Sequence, residues 1–283
     1  MNPKKLKKLK RQLKKERSVS TTNNYITRLE RYRELFKQNS TITFLINQIL
    51  ESNRLIQQKL LPQQLPVLEL PEDIQDQIFN QIKDQYPLGD PRGDQLWEKL
   101  TAELPKLDKL LRSYRDYLEE TYGMWAYISA PFISDLAHYL AGRPTLEVMA
   151  GNGYISHGLR LKQQNVYATD SLDWVQENET GKHLVTEVEK LDAISAIEKY
   201  GNQVDFVIMS WSPDGIPIDV QILEKLRSLT KQPTLICIGE PHGATNSAGF
   251  WKTAKLIEPE NTQQLNQHYQ SFDLIHDQLY LIK

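Results

Sequence analysis

The stretch Leu146-Glu147-Val148-Met149-Ala150-Gly151-Asn152-Gly153-Tyr154 decides the fold of this chain. Its first residues are typical of a buried strand, a turn with two glycines follows, and a helix is expected to begin directly after the turn. Gly151 and Gly153 permit a tight turn in which the backbone comes close to a ligand, where a side chain would collide with it. The stretch therefore predicts a strand-loop-helix unit that binds a nucleotide-like molecule.

Asp170 stands where the second strand of this unit is expected to end. It comes directly after a short apolar run, residues 166–169. An acid at this place can accept hydrogen bonds from both hydroxyls of an adenosine ribose. The combination predicts a site for an adenosine-containing cofactor, and an ordinary tight turn with a solvent-exposed acid is the alternative.

Short apolar strands alternate with helices from about residue 130 onward. The predicted strands are 145–149, 166–169, 183–186, 204–209 and 234–238, and the predicted helices are 134–140, 156–162, 192–200 and 220–229. Two further strands, 272–275 and 278–282, are joined by a short turn and predict a C-terminal antiparallel hairpin. The alternation predicts an α/β fold, a Rossmann-like and mostly parallel sheet with helices on both faces.

The first third of the chain has another texture, because no glycine occurs before Gly89 and apolar residues recur at the helical period. The predicted helices are 22–37, 41–61, 72–85, 93–101 and 104–122. The sequence thus predicts three regions. They are a basic tail over 1–20, an all-helical N-terminal region over 21–122 and a Rossmann-like cofactor-binding domain over 123–283.

The net charge of −2 hides a strongly basic N-terminus. Residues 1–17 carry nine Lys or Arg and one acid, and the remainder carries 25 basic and 35 acidic side chains, a net charge of −10. An acidic body argues against a protein that grips nucleic acid over a broad surface. RNA, anionic lipid or an acidic partner are candidate ligands of the tail, and a solvated tail without a ligand is the alternative.

The single cysteine, Cys237, lies in an apolar run and is interpreted as a buried strand residue. One cysteine excludes an intramolecular disulfide and a Cys-rich metal site, and the six histidines show no His-x-x-x-His spacing, so no metal is expected. The sequence has no apolar run of about 18 residues and no signal-peptide pattern. No membrane span is expected, and the expected compartment is the cytoplasm.

Glu147 and Ser156 bear on which cofactor is bound. A dinucleotide site has the pattern Gly-x-Gly-x-x-Gly, and Ser156, a small residue at the third position, leaves a nicotinamide or flavin site open. Glu147 favours another cofactor, because its carboxylate would repel a pyrophosphate. The same carboxylate would balance the positively charged methionine end of S-adenosylmethionine (SAM). A plain strand-end residue is the alternative interpretation of Glu147.

In these residues the chain resembles the class I (Rossmann-like) SAM-dependent methyltransferases, whose first motif reads acid-x-Gly-x-Gly-x-Gly. The match is at Glu147, Gly151 and Gly153, and Met149 replaces the first glycine. The resemblance covers about residues 123–283. It implies that the acid and the two glycines hold the methionine moiety and that the acid after the second strand holds the ribose. The residues expected to bind the cofactor are Trp125, Glu147, Ala150, Gly151, Asn152, Gly153, Asp170, Asp192 and Ser210.

A narrower resemblance is to uncharacterised methyltransferase-like proteins with Tyr-x-Trp, Ser-Trp-x-Pro and Gly-Glu-rich segments. The corresponding stretches are Tyr122-Gly123-Met124-Trp125, Ser210-Trp211-Ser212-Pro213 and Gly239-Glu240-Pro241-His242-Gly243. All three are expected at or beside the carboxyl ends of strands, where open α/β sheets bind ligands. Asp192, which the superfamily resemblance places at the adenine, is equally interpreted as a helix N-cap.

The segment from Ser210 to Asp214 also resembles the Asn-Pro-Pro-aromatic turn of amino-group methyltransferases, whose polar acceptors hold the target nitrogen. Such acceptors can orient a nucleophile beside the methyl group. The expected catalytic residues are Ser210, Trp211, Asp214 and His242. A strand-ending turn with a packing tryptophan, an exposed turn at Asp214 and a loop that merely closes over the cofactor at His242 are the alternatives.

The leading hypothesis is a class I SAM-dependent methyltransferase that transfers a methyl group to an unknown oxygen or nitrogen acceptor. The acceptor is expected to be a small molecule rather than a macromolecule. A non-catalytic or regulatory SAM-binding protein is the second hypothesis, and an NAD(P)-dependent oxidoreductase is the third.

Overall fold

A computed structural model describes residues 24–257 and 260–283 of the chain. These residues form two compact units. The first consists of the described residues up to Arg54 together with Pro66–Thr121, and the second consists of Leu55–Leu65 together with Tyr122–Lys283. The basic tail proposed for 1–20, with its candidate ligands, lies outside the described residues.

The first unit is all-helical, which confirms the prediction for the N-terminal region. Its helices, of which α2 and α6 end slightly beyond the unit, are α1 (24–35), α2 (Ser40–Gln57), α3 (Ile74–Lys83), α4 (Pro91–Thr101), α5 (Leu104–Arg112) and α6 (Tyr114–Tyr122). The single helix predicted over 104–122 is wrong at Ser113. The hydroxyl of Ser113 donates to the Leu110 carbonyl at 2.9 Å, and a serine that competes for a backbone carbonyl in this way interrupts the regular helical ladder.

The second unit is built on a six-stranded sheet with the strand order β3-β2-β1-β4-β5-β6. Its strands are β1 (Thr145–Val148), β2 (Val166–Asp170), β3 (Glu189–Lys190), β4 (Phe206–Ser210), β5 (Thr234–Gly239) and β6 (Gln278–Ile282). The first five strands run parallel, and β6 is antiparallel to β5. The predicted Rossmann-like, mostly parallel sheet is confirmed. Its strand order reverses between β1 and β4, and ligands bind beyond the carboxyl ends of strands at such a point.

Helices cover both faces of this sheet, as predicted. They are α7 (Ala130–Leu140), α8 (Tyr154–Leu161), α9 (Ala193–Tyr200), α10 (Ile218–Ser228), α11 (Ala248–Thr253) and α12 (Glu260–Asn266). Neighbouring residues of a strand point to opposite faces. Ile208 of β4 therefore packs in one core with α7, α8 and α12, and Val207 packs in the other with α9, α10 and α11. In the described part of the chain, no helix has both the length and the apolar character needed to cross a membrane.

The third strand lies later in the chain than predicted. The prediction over 183–186 is wrong, because the N–H groups of His183 and Val185 donate to Asn152 rather than to a neighbouring strand. The chain joins the sheet only at Glu189 and Lys190, which pair with the end of β2.

The C-terminal antiparallel strand is confirmed, with a different partner from the one predicted. β6 pairs along its length with β5, from Leu235 opposite Ile282 to Gly239 opposite Gln278. Residues 272–274 form bends and residue 275 is irregular, so no strand forms there. β5, already paired with β4, offers a full ladder of N–H and C=O groups, whereas a short hairpin of two strands is only marginally stable in water.

Candidate functional site

Four non-glycine residues with left-handed backbone lie just beyond the carboxyl ends of four parallel strands. Met149 (φ 56°) follows β1, Leu172 (φ 59°) follows β2, Trp211 (φ 53°) follows β4 and His242 (φ 60°) follows β5. Each such residue costs on the order of 1 kcal/mol, and backbone strain of this kind concentrates at functional sites. Four of the nine non-glycine residues with positive φ in the described part of the chain thus follow the carboxyl ends of these strands.

A cavity of about 610 Å³ lies at this edge, within the second unit. Its volume is in the range of small-molecule sites. Most predicted site residues line it: Trp125, Glu147, Ala150, Gly151, Asn152, Asp170, Asp192, Ser210, Trp211 and Asp214. Gly153 and His242 are not among its lining residues, and His242 is exposed.

Glu147 on β1 is buried, with 2% of its surface exposed. Its carboxylate accepts hydrogen bonds from the Ser156 N–H at 2.9 Å and from the Ser156 hydroxyl. Ser156 lies in the first turn of α8, where backbone N–H groups have no partner within the helix. Burial raises the pKa of Glu147 to about 7, although the bonds from Ser156 oppose the rise. Near neutral pH this group is therefore only partly ionised.

The loop after β1 has left-handed backbone at every second residue: Met149 (φ 56°), Gly151 (φ 55°) and Gly153 (φ 81°). This is the spacing of the three glycines in the motif that the chain resembles. Met149 thus adopts the conformation of the missing glycine in spite of its side chain. A Cβ atom on Gly153 would lie 2.9 Å from Thr186 Cγ2, so this glycine is required for close packing.

Asp170 joins the loop after β1 to the loop after β2. One carboxylate oxygen accepts from the Gly151 N–H at 2.8 Å, and the other accepts from the Leu172 N–H at 2.7 Å. The side chain is 5% exposed and lines the cavity. Because each carboxylate oxygen offers two acceptor positions, Asp170 can accept hydrogen bonds from a ligand as well.

Asn152 holds three backbone segments together beside the cavity. Its Nδ2 donates to the carbonyls of Tyr122 (2.7 Å) and Glu179 (3.1 Å), and its Oδ1 accepts from the His183 N–H (3.2 Å). With 1% of its surface exposed, this side chain is committed to the protein. Its side-chain role is to position the walls of the cavity.

Gly123 is where two of these walls come closest. Its φ is 56°, and a Cβ atom there would lie 2.7 Å from the backbone of Glu179. We expect Gly123→Ala to lower the free energy of unfolding by about 3 kcal/mol, because backbone strain adds to steric overlap. Gly142→Ala is the matched control: Gly142 is also left-handed (φ 77°), but no atom lies within 4 Å of the added Cβ, so about 1 kcal/mol is expected. Urea unfolding measures both, and equal losses would contradict a role for the close approach.

Asp192 caps α9. Its carboxylate accepts from the N–H groups of Ile194 (3.1 Å) and Ser195 (3.0 Å) and from the Ser195 hydroxyl (2.6 Å). These bonds, the one from the Ser195 hydroxyl above all, lower the pKa of Asp192. The N-cap interpretation is confirmed, and contact with an adenine stays a prediction for a residue that also lines the cavity.

The turn after β4 forms another wall. Ser210, Trp211 and Asp214, whose catalytic role stays a prediction, line the cavity, and Ser212 lies between Trp211 and Asp214. Asp214 is exposed and accepts from the N–H of its neighbour Gly215 at 2.7 Å. Ser212 is fully buried, and its hydroxyl has no hydrogen-bond partner within the described ranges. A buried polar atom left in this state is a candidate contact for a ligand.

Two tryptophans lie together on this wall. The ring centroids of Trp125 and Trp211 are 6.2 Å apart, with their planes inclined at 41°. The indole N–H of Trp125 donates to the Thr180 hydroxyl at 3.0 Å, and that of Trp211 donates to Asp277 at 2.8 Å. Both rings are thereby anchored at their polar edges.

The charged side chains that line the cavity in the described residues are all acidic. Its lining residues include five carboxylates, Glu147, Asp170, Asp173, Asp192 and Asp214, and among the described residues that line it there is no Lys, Arg or His. Such a lining attracts cations and repels phosphates and carboxylates.

The structure adds lining residues that the sequence did not single out. Those that follow β2 or β5 are Ser171, Asp173, Trp174, Asn178, Thr180, Ala244 and Thr245. Trp174 could have been found from the sequence, since an aromatic residue four positions after the acid that ends β2 lies close enough to cover a ligand bound there. Thr180 could not have been found in this way, because its contact with Trp125 spans 55 residues.

Comparison with known proteins gives structural matches only. No protein-family model and no curated protein sequence matches the chain. The matched structures include magnesium protoporphyrin IX methyltransferase (ChlM) from Synechocystis PCC 6803 with bound SAM, at 12% identity over 60% of this chain and 94% of that one, with a TM-score of 0.34. TehB from Haemophilus influenzae matches at 13% identity over 60% and 66%, with a TM-score of 0.33. The mitomycin 7-O-methyltransferase MmcR matches at 11% identity over 73% and 67%, with a TM-score of 0.28.

Proposed function

We propose that this protein is a SAM-dependent methyltransferase that acts on a small-molecule oxygen or nitrogen nucleophile. The observation that carries the proposal is the charge of the cavity at the strand-order reversal, with five carboxylates and no basic side chain among its described lining residues. A nicotinamide or flavin dinucleotide brings a doubly charged pyrophosphate, which such a lining repels. SAM carries a sulfonium and an ammonium group beside a single carboxylate, and such a lining attracts its net positive charge.

The residues around the cavity fit the parts of SAM. Asp170, at the end of β2, would accept hydrogen bonds from the ribose hydroxyls. Glu147 would balance the ammonium group of the methionine moiety, and Asp192 would lie at the adenine. The backbone at Gly151 would approach the cofactor closely, because its Cα carries no side chain. Met149 replaces the first glycine of the motif but has the left-handed backbone expected of that glycine, and this supports the proposal.

Methyl transfer would occur at the wall formed by the turn after β4. Bound SAM supplies a methyl group on a positively charged sulfur, which a nucleophile displaces in line. Ser210 and the buried Ser212 hydroxyl would orient that nucleophile by hydrogen bonds. Asp214, exposed at the rim, would accept the proton that the nucleophile loses and release it to water. The tryptophans would exclude water from the transfer site.

Isothermal titration calorimetry with SAM tests the cofactor. We expect a dissociation constant on the order of 1–10 µM, and no resolvable heat with NADH under the same conditions. The absence of SAM binding, or tighter binding of NADH, would contradict the proposal.

Formation of S-adenosylhomocysteine in the presence of pooled small amines and alcohols tests the transfer. Release of the demethylated product that depends on the pool is the expected result. Binding of SAM without any turnover across the pool would favour a non-catalytic SAM-binding protein instead.

A further inference from the structure

Trp211 is held by a buried carboxylate outside the cavity. Asp277, 3% exposed, accepts the Trp211 indole N–H at 2.8 Å and the Tyr269 hydroxyl at 2.6 Å with the same oxygen. A carboxylate that accepts from an indole N–H polarises the ring, and hydrogen bonds in a medium of low dielectric polarise their partners strongly. The π-face of Trp211 is therefore more electron-rich than that of an isolated indole.

The paired ring strengthens this property of the wall. Trp125 lies 6.2 Å from Trp211 and is fixed through Thr180, so the two indoles present a preorganised aromatic surface to the cavity. Indole faces attract cations within about 6 Å, most strongly where water is displaced. The carboxylate of Asp214 lies on the same wall, and no described lining residue supplies a competing positive charge.

We propose that the methyl acceptor carries a positively charged nitrogen in addition to its nucleophilic oxygen or nitrogen atom, and that the Trp125–Trp211 pair recognises the charged nitrogen by cation–π attraction. The inference rests on the proposed methyltransferase function and narrows its acceptor from any small nucleophile to a cationic one. Anionic acceptors are disfavoured because the cavity has carboxylates without a balancing base. Neutral acceptors of the same shape gain only the apolar contact with the rings.

Three probes of nearly equal shape separate charge from shape: choline, the neutral 3,3-dimethyl-1-butanol and the anionic 3,3-dimethylbutanoate. Each is titrated by tryptophan fluorescence and calorimetry into the full-length protein, with and without saturating S-adenosylhomocysteine. We expect choline to bind the complex about tenfold more tightly than the alcohol, and the butanoate to bind more weakly than both. Equal affinities for choline and the alcohol would overturn the inference and indicate a purely apolar surface.

Variants connect the charge preference to the two rings. Trp211→Leu is expected to reduce the ratio of choline to alcohol affinity to about twofold or less, and Asp277→Asn, which keeps the shape but removes the charge behind the ring, to about threefold. Trp97→Leu, in α4 of the first unit, controls for the loss of a fluorophore and should keep the tenfold ratio. A ratio unchanged in Trp211→Leu would contradict recognition by this ring, whatever the stability of the variant.

The two proposals fail in different ways. Calorimetry with S-adenosylhomocysteine alone tests the cofactor, and failure to bind would contradict the methyltransferase function irrespective of choline. If S-adenosylhomocysteine binds but SAM and choline compete, the tryptophans belong to the place of the sulfonium, and the acceptor inference is wrong. Simultaneous binding of S-adenosylhomocysteine and choline is the supporting result.

Discussion

Asp170→Asn is expected to weaken SAM binding about 100-fold. The change removes the negative charge and one of the two acceptor oxygens that the ribose hydroxyls would use, and hydrogen bonds to a charged group contribute about 1.5–3 kcal/mol each. The new amide group must also face the N–H of Gly151 or Leu172, both of which now donate to the carboxylate. We therefore expect the free energy of unfolding to fall by about 1–3 kcal/mol as well.

Asp173→Asn is the control for this variant. Asp173 lines the same cavity and carries the same charge, but it is exposed, and it follows Asp170 by three residues. Calorimetry at a temperature well below both melting midpoints should give no more than about a twofold loss of affinity. A loss as large as that of Asp170→Asn would show that net cavity charge, rather than a ribose contact, determines the affinity.

The sequence was sufficient to predict those features of the site that depend on residues close together in the chain. The strand, the tight glycine turn and the acid at the end of β2 lie within residues 145–170, and each follows from apolar, glycine and acid positions. The left-handed backbone of Met149 does not follow from its residue type, because a side chain disfavours this conformation. Asp192 illustrates the limit of such inference. Its residue type fits both an N-cap and a ligand contact, and only the bonds to Ile194 and Ser195 show that the capping role is real.

The remainder depends on contacts between residues distant in sequence. The position of Asn152 between two glycines predicts a cofactor contact, but its side chain hydrogen-bonds to Tyr122, Glu179 and His183, up to 31 residues away. The third strand is absent from its predicted place, where the N–H groups of His183 and Val185 donate to Asn152. Asp277, which lies 66 residues from Trp211, had no sequence signal, because nothing in its neighbourhood distinguishes it from an exposed acid in a turn.

Ionisation of Glu147 is expected to strengthen SAM binding and to lower the free energy of unfolding. Its folded-state pKa of about 7 lies above the ordinary value of 4.5, so the folded protein holds a proton more tightly than the unfolded chain between these two values. The free energy of unfolding contributed by this group therefore falls as pH rises from about 4.5 to about 7 and is constant above. The difference in pKa corresponds to about 3 kcal/mol at most. A positively charged ligand beside the carboxylate favours its ionised form, so SAM should bind more tightly as pH rises from 6 to 8.

Glu147→Gln should separate these two effects. At pH 8 we expect the free energy of unfolding of the variant, measured in urea, to exceed that of the wild type by up to about 3 kcal/mol, because no charge is buried. We also expect the variant to bind SAM about 30-fold more weakly. At pH 4.5 the two proteins should be nearly equal in stability. Any pH dependence of SAM affinity that remains in the variant comes from the ligand itself, and it is subtracted from the pH dependence of the wild type.

Ser156→Ala provides the complementary measurement. The Ser156 hydroxyl donates to Glu147 and lowers its pKa, so removing it should move the midpoint of pH-dependent SAM binding to higher pH while the charge remains available. Calorimetry between pH 6 and 9 gives the midpoints. A variant Glu147→Gln that loses stability at pH 8, or a midpoint that stays fixed in Ser156→Ala, would mean that the carboxylate is a permanently ionised helix cap. In that case the negative charge at the end of β1 would stabilise α8, and the affinity for SAM would not depend on the titration of Glu147.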